Sequence, residues 1–70
     1  MIAYRILDSL TRREREVFAG VVAGLSSKGI AEKFGTTHRT IEFQRQSILN
    51  KTGYPSMTAL LGALLTGEVE

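Results

Sequence analysis

Ser27 to Gln46 reads SKGIAEKFGTTHRTIEFQRQ, and the fold turns on this stretch. Ile30, Ala31 and Phe34 lie three and four positions apart, which makes one apolar stripe on a short helix. Gly35 interrupts that helix, because glycine reaches the left-handed backbone of a tight turn without a Cβ penalty. Thr37 follows closely enough for its hydroxyl to cap a second helix, whose inward residues are Ile41, Ile48 and Leu49. Small Ala31 lets the two helices approach, Gly35 makes the corner and Ile41 fills the angle between them, which is the spacing of a helix-turn-helix.

Working outward, the upstream residues supply a supporting helix. Thr11-Arg12-Arg13-Glu14 has the form of a capping box, in which the Thr11 hydroxyl and the Glu14 carboxylate each take the other's backbone amide. Val17, Phe18, Val21, Val22 and Leu25 then form an inward face, and Gly24 is placed to end the helix. Leu7 and Leu10, with Ile6, are expected to tuck under the bundle. Ser26 caps the first helix of the motif. Gly29, three residues on, weakens that helix by about 1 kcal/mol with no reason visible in the sequence.

Downstream, the second helix of the motif spans residues 38–51. At 100° per residue its outward face carries Arg39, Glu42, Phe43, Gln46 and Asn50. An outward phenylalanine among polar groups suits a thymine methyl in a major groove, although a single exposed apolar side chain is also common. Gly53-Tyr54-Pro55 breaks the chain and Ser56 caps a last helix, Met57 to Thr66, with Met57, Leu60, Leu61 and Leu64 inward. The opposite face holds Thr58, Ala59, Gly62, Ala63 and Thr66, and no charge falls between Thr52 and Gly67. An uncharged outer face predicts a partner there, either a twofold mate or another domain.

The organisation is then a lead-in over residues 1–9, one all-α domain over 10–66 built as a four-helix bundle, and a tail over 67–70 that frays. Seventy residues with 43% hydrophobic content and no cysteine describe one small reduced domain. No apolar run is long enough to span a membrane, so the expected location is the cytoplasm. The net charge is +2, with Arg12, Arg13, Arg15, Lys28, Lys33, Arg39, Arg45 and Lys51 available to gather toward a polyanion. One histidine and no cysteine leave neither a metal cluster nor a catalytic constellation, so no cofactor and no enzymatic activity are expected. His38, beside Arg39 at a helix start, suits phosphate or solvent better than general-base work.

Leu10-Thr11, Glu14, Glu16-Val17, Val22-Ala23-Gly24-Leu25-Ser26, Lys28, Ile30-Ala31 and Arg39-Thr40-Ile41-Glu42 together resemble the LuxR-type helix-turn-helix domain. The nearest branch looks like the FixJ-like response-regulator effectors, with their Lys-x-Gly sequence matched by Lys51-Thr52-Gly53. The resemblance covers nearly the whole chain, Leu10 to Leu65. It implies a bacterial transcription regulator, located with the nucleoid, whose third helix enters the major groove and whose fourth helix serves dimerisation. It puts base contacts on Glu42, Phe43 and Gln46. It puts phosphate contacts on Lys28, Thr40, Arg45 and Lys51, with Thr37 at the cap, and outward-facing Arg39 joins them. The implied partners are double-stranded DNA, a second copy on DNA, RNA polymerase, and a receiver or sensor domain in a longer chain. Four positions depart from the pattern: Gln44 for histidine, Gly29 for glutamate, Thr36 for an aliphatic residue and Thr52 for Leu or Met. Two other readings stay open: a helical protein-interaction module that has lost DNA binding, and a domain like sigma-factor region 4, which the apolar helix beyond Pro55 disfavours.

Overall fold

The computed structural model describes residues 7–66, and within them the chain is all helical. After a single 3₁₀ turn at residues 7–9 come α1 (Arg12–Val22), α2 (Ser27–Phe34), α3 (His38–Thr52) and α4 (Met57–Thr66). Ile6 and the tail beyond residue 66 lie outside the described residues.

Local chemistry sets nearly every helix boundary. The Thr11–Glu14 capping box is complete: the Glu14 amide donates to Thr11 Oγ1 over 3.1 Å and the Thr11 amide to Glu14 Oε1 over 2.8 Å. Ser26 and Thr37 cap α2 and α3 in the same hydroxyl-to-amide manner. At the other ends, α1 and α2 both close through a left-handed glycine. Gly24 has φ 90° and Gly35 has φ 67°. The following amides reach back five residues, Leu25 to the Gly20 carbonyl at 3.0 Å and Thr36 to the Ala31 carbonyl at 2.9 Å.

Helix α3 is the hub, packing against each of the other three helices. Ile30, Ile41, Ile48, Leu60 and Val17 are fully enclosed where they meet. Truncating any of these to alanine costs about 2–5 kcal/mol for the larger side chains. The helix-turn-helix corner is as the spacing implies, with Ala31 and Ile41 buried on either side of Gly35.

Three expectations are corrected. Val22 and Leu25 do not face inward but are 61% and 37% exposed. Helix α1 stops at Val22, so Leu25 lies beyond the left-handed Gly24 and outside the helical phase that would have turned it toward the core. Helix α1 approaches α2 closely at Gly20, where an added Cβ would lie 2.9 Å from Ile30 Cγ1. In α4, Ala63 is buried rather than outward. It lies three residues after Leu60 and so shares that residue's inward face.

Gly29 has no such steric reason. An added Cβ would make only ordinary contacts, the nearest 3.5 Å from Ser26 Oγ, and its backbone is not left-handed. Thr52 enters the core in place of an aliphatic residue, its hydroxyl donating to the Leu49 carbonyl at 3.4 Å.

Candidate nucleic-acid interface

The first turn of α3 is organised by two threonines. Thr37 Oγ1 accepts the Thr40 amide at 3.1 Å and donates to Thr40 Oγ1 at 2.9 Å. The pair leaves both hydroxyls at the exposed, electropositive end of the helix, beside exposed Arg39 and His38. An anion arriving there meets unpaired amide dipoles and a guanidinium together.

One turn further, Glu42, Phe43 and Gln46 emerge on one exposed face. Phe43 is 75% exposed, against complete burial of Ile41 and Ile48 on the other side of the same helix. Exposing that ring to water is unfavourable in the free protein, and an apolar contact in a groove would relieve it. Gln46 Nε2 donates to Asn50 Oδ1 at 3.0 Å, one turn along the same exposed face. Glu42 Oε2 lies 3.5 Å from His38 Nε2, an ion pair only when the imidazole is protonated.

The cations divide into two groups. Arg12 and Arg13 pair with Glu16 at 3.7 and 3.4 Å, and the Arg13 guanidinium stacks 4.6 Å over the Phe34 ring. Lys28, Lys33, Arg39 and Arg45 form no ion pair among the described residues. Lys28 sits in the exposed first turn of α2. Half-buried Arg45 lines an open cleft with Ser26 and Ser27 at the start of α2 and Thr58 at the start of α4. A guanidinium between two helix N-termini is a strongly electropositive arrangement.

Lys51 differs from all of these. Its ammonium donates to Glu14 Oε1 at 2.7 Å, and Ser47 Oγ donates to the other carboxylate oxygen at 2.6 Å. Burial pushes the Glu14 carboxyl up. The hydrogen bonds from Lys51, Ser47 and the Thr11 amide, with the Lys51 charge, outweigh it and hold the group at about 2 against an ordinary 4.5. The capping box is visible in the sequence, but the tie from Glu14 to α3 is not, since its partners lie 33 and 37 residues away. Gln44, which replaces a usual histidine, keeps its side-chain oxygen enclosed with no hydrogen-bond partner.

On α4 the exposed positions are Thr58, Gly62, Leu65 and Thr66, with Ala59 half-buried. Leu65 is 88% exposed and borders an apolar groove of about 250 Å³ lined by Phe18, Val22, Leu61 and Leu64. Among the described residues no helix is long and apolar enough to cross a membrane, and no group of metal-ligating side chains converges.

Residues 8–62 match the family described as bacterial regulatory proteins, luxR family. The transcriptional regulatory protein FixJ of Bradyrhizobium diazoefficiens is 42% identical over 60 residues, 86% of this chain and 29% of that protein. The transcriptional regulatory protein TdiR of Thauera aromatica is 39% identical over 63 residues, 90% of this chain and 28% of its own length. The transcriptional regulatory protein MctR of Rhizobium johnstonii is 41% identical over 54 residues, covering 77% and 25% respectively. The chain thus spans less than a third of each of these relatives. No solved structure matches it.

Proposed function

The chain belongs to the luxR family of bacterial regulatory proteins and is a DNA-binding unit of transcription regulation, and on that premise we propose how it binds. Helix α3 lies in the major groove, with Glu42, Phe43 and Gln46 toward base edges. The observation that carries this reading is the division of α3 into an enclosed aliphatic face and an exposed face holding a 75% exposed phenylalanine beside a hydrogen-bonded glutamine. Gln46 suits adenine and Phe43 suits a thymine methyl, while Glu42 accepts from a cytosine amine. Lys28, Thr37, Arg39, Thr40 and Arg45 meet flanking phosphates, supported by their places at helix N-termini and in the cleft between α2 and α4. Lys51 is the sixth residue of this set, and it approaches phosphate while bonded to Glu14.

Two copies meet on DNA through the uncharged surface of α4, Thr58, Ala59, Gly62 and Thr66, now with Leu65 in place of buried Ala63. An added Cβ at Gly62 would touch nothing within 4 Å, so this face is open to a close approach. The relatives' greater length supports a longer protein in which a receiver or sensor domain controls this unit, which then acts with RNA polymerase in the bacterial cytoplasm, at the nucleoid.

The test is fluorescence anisotropy with a selected duplex and a scrambled one, across a salt series. Gln46→Ala should cost about 1–3 kcal/mol on the selected duplex and little on the scrambled one. Lys28→Ala should weaken both alike and lower the salt slope by about 1. Equal loss on both duplexes for Gln46→Ala would remove it from base readout.

A further inference from the structure

Glu14 sits on α1, yet it accepts from α3 at two successive turns, through Ser47 and Lys51. Among the described residues, these are the side-chain hydrogen bonds that link one helix to another. The carboxylate is 9% exposed and held well below the usual carboxylate range, so at neutral pH Lys51 faces a full negative charge 2.7 Å away. The Lys51 side chain is itself 36% exposed, and its residue follows Asn50 on the outward face by about 100° of helix rotation. It therefore flanks the surface that docks.

A phosphate drawing the ammonium away would leave the buried Glu14 without its counter-charge, which is far costlier than losing an exposed pair. A phosphate that leaves the pair intact sees a cation and an anion together, whose fields largely cancel beyond their separation. In either case Lys51 cannot act as a free cation.

We infer that Glu14 sets the charge that the recognition helix offers to DNA: the Glu14–Lys51 pair enters the interface as a neutral unit that releases no counterion. Glu14 is thereby a positioning residue of the interface, holding Lys51 and Ser47 while moderating sequence-independent affinity. The inference rests on the reading that α3 docks on DNA.

Salt-dependent binding of the chain to a scrambled duplex tests it, with Glu14→Gln and with the doubly neutral Glu14→Gln/Lys51→Met. Glu14→Gln releases the lysine, so the salt slope should steepen by about 1. The affinity lost between 50 and 200 mM salt should then grow roughly threefold to fourfold. The double variant carries the same net charge at this place as the wild type and should return to the wild-type slope. A slope shallower than wild type by about 1 in the double variant would overturn the inference, because Lys51 would then already count as a full phosphate cation. That comparison decides even where Glu14→Gln alone fails to fold, since neutralising both partners of a buried pair is tolerated better than stranding one. A wild-type chain that bound no duplex would overturn the DNA reading itself, and with it the inference.

Discussion

Against α3, the first helix presents a buried carboxylate that meets Ser47 and Lys51 at 2.6 and 2.7 Å; against α4, it presents Phe18 and Val22 beside an open apolar groove of about 250 Å³. The first seam is directional. A carboxylate gripping two turns permits one rotation and one axial position of α3, whereas apolar contact tolerates sliding. The second seam leaves Val22 and Leu65 exposed at 61% and 88%, surface that the free domain does not cover. On the proposed reading this is a division of labour: the polar seam aims α3 toward the groove, and the apolar seam supplies association.

The largest effect should come from breaking the polar seam. Glu14→Ala removes half of the capping box and strands Ser47 and Lys51, and should cost about 2–4 kcal/mol in urea unfolding. A loss below about 1 kcal/mol would mean the seam does not aim α3 at all.

The same carboxylate sharpens the contrast through pH. Its folded value of about 2 lies below its ordinary 4.5, so its stabilisation is complete above about 4.5 and is lost as pH falls toward 2. Stability measured between pH 5 and pH 2 should therefore fall more in the wild type than in Glu14→Gln. Parallel curves would assign acid sensitivity to other carboxylates.

A smaller and opposite effect is expected at Gly29. It is helical, a Cβ there would meet only ordinary van der Waals contacts, and Gly29→Ala should raise stability by about 0.5–1 kcal/mol. Calorimetry showing destabilisation would reveal a steric need that the surroundings do not display.

The smallest effect on folding belongs to the apolar seam. Leu65→Lys should change stability by less than about 0.5 kcal/mol, since the side chain is almost wholly exposed. It should nonetheless reduce cooperative binding to a two-half-site duplex while sparing a single half-site. Equal loss on both duplexes would tie Leu65 to the DNA contact rather than to dimerisation.

What the sequence made legible was mostly local. Thr11, Ser26 and Thr37 announce helix starts because capping acts across three residues, and Ala31, Gly35 and Ile41 announce the corner because packing at a tight turn admits few side chains. The exposed face of Phe43 followed from helical phase alone. Legibility ended where contacts cross between distant segments. Glu14 looked spent in its own capping box, and nothing nearby signalled that its second oxygen serves Ser47. Gly20 carried no turn signature, because its role is to admit Ile30 from another helix. Leu25 and Ala63 depart because α1 ends before Leu25 and the inward stripe of α4 widens to include Ala63, while Val22, still within α1, lies about 100° of helix rotation past half-buried Val21 and off the inward stripe.

Selection of binding sites from a random duplex pool, run with wild type and with Gln46→Ala, tests most directly whether the outward face of α3 reads bases. The wild type should enrich a half-site with adjacent A·T pairs where Gln46 and Phe43 reach, and Gln46→Ala should lose the preference at the adenine while keeping its overall affinity for duplex. If both proteins enrich the same half-site, that face does not read sequence.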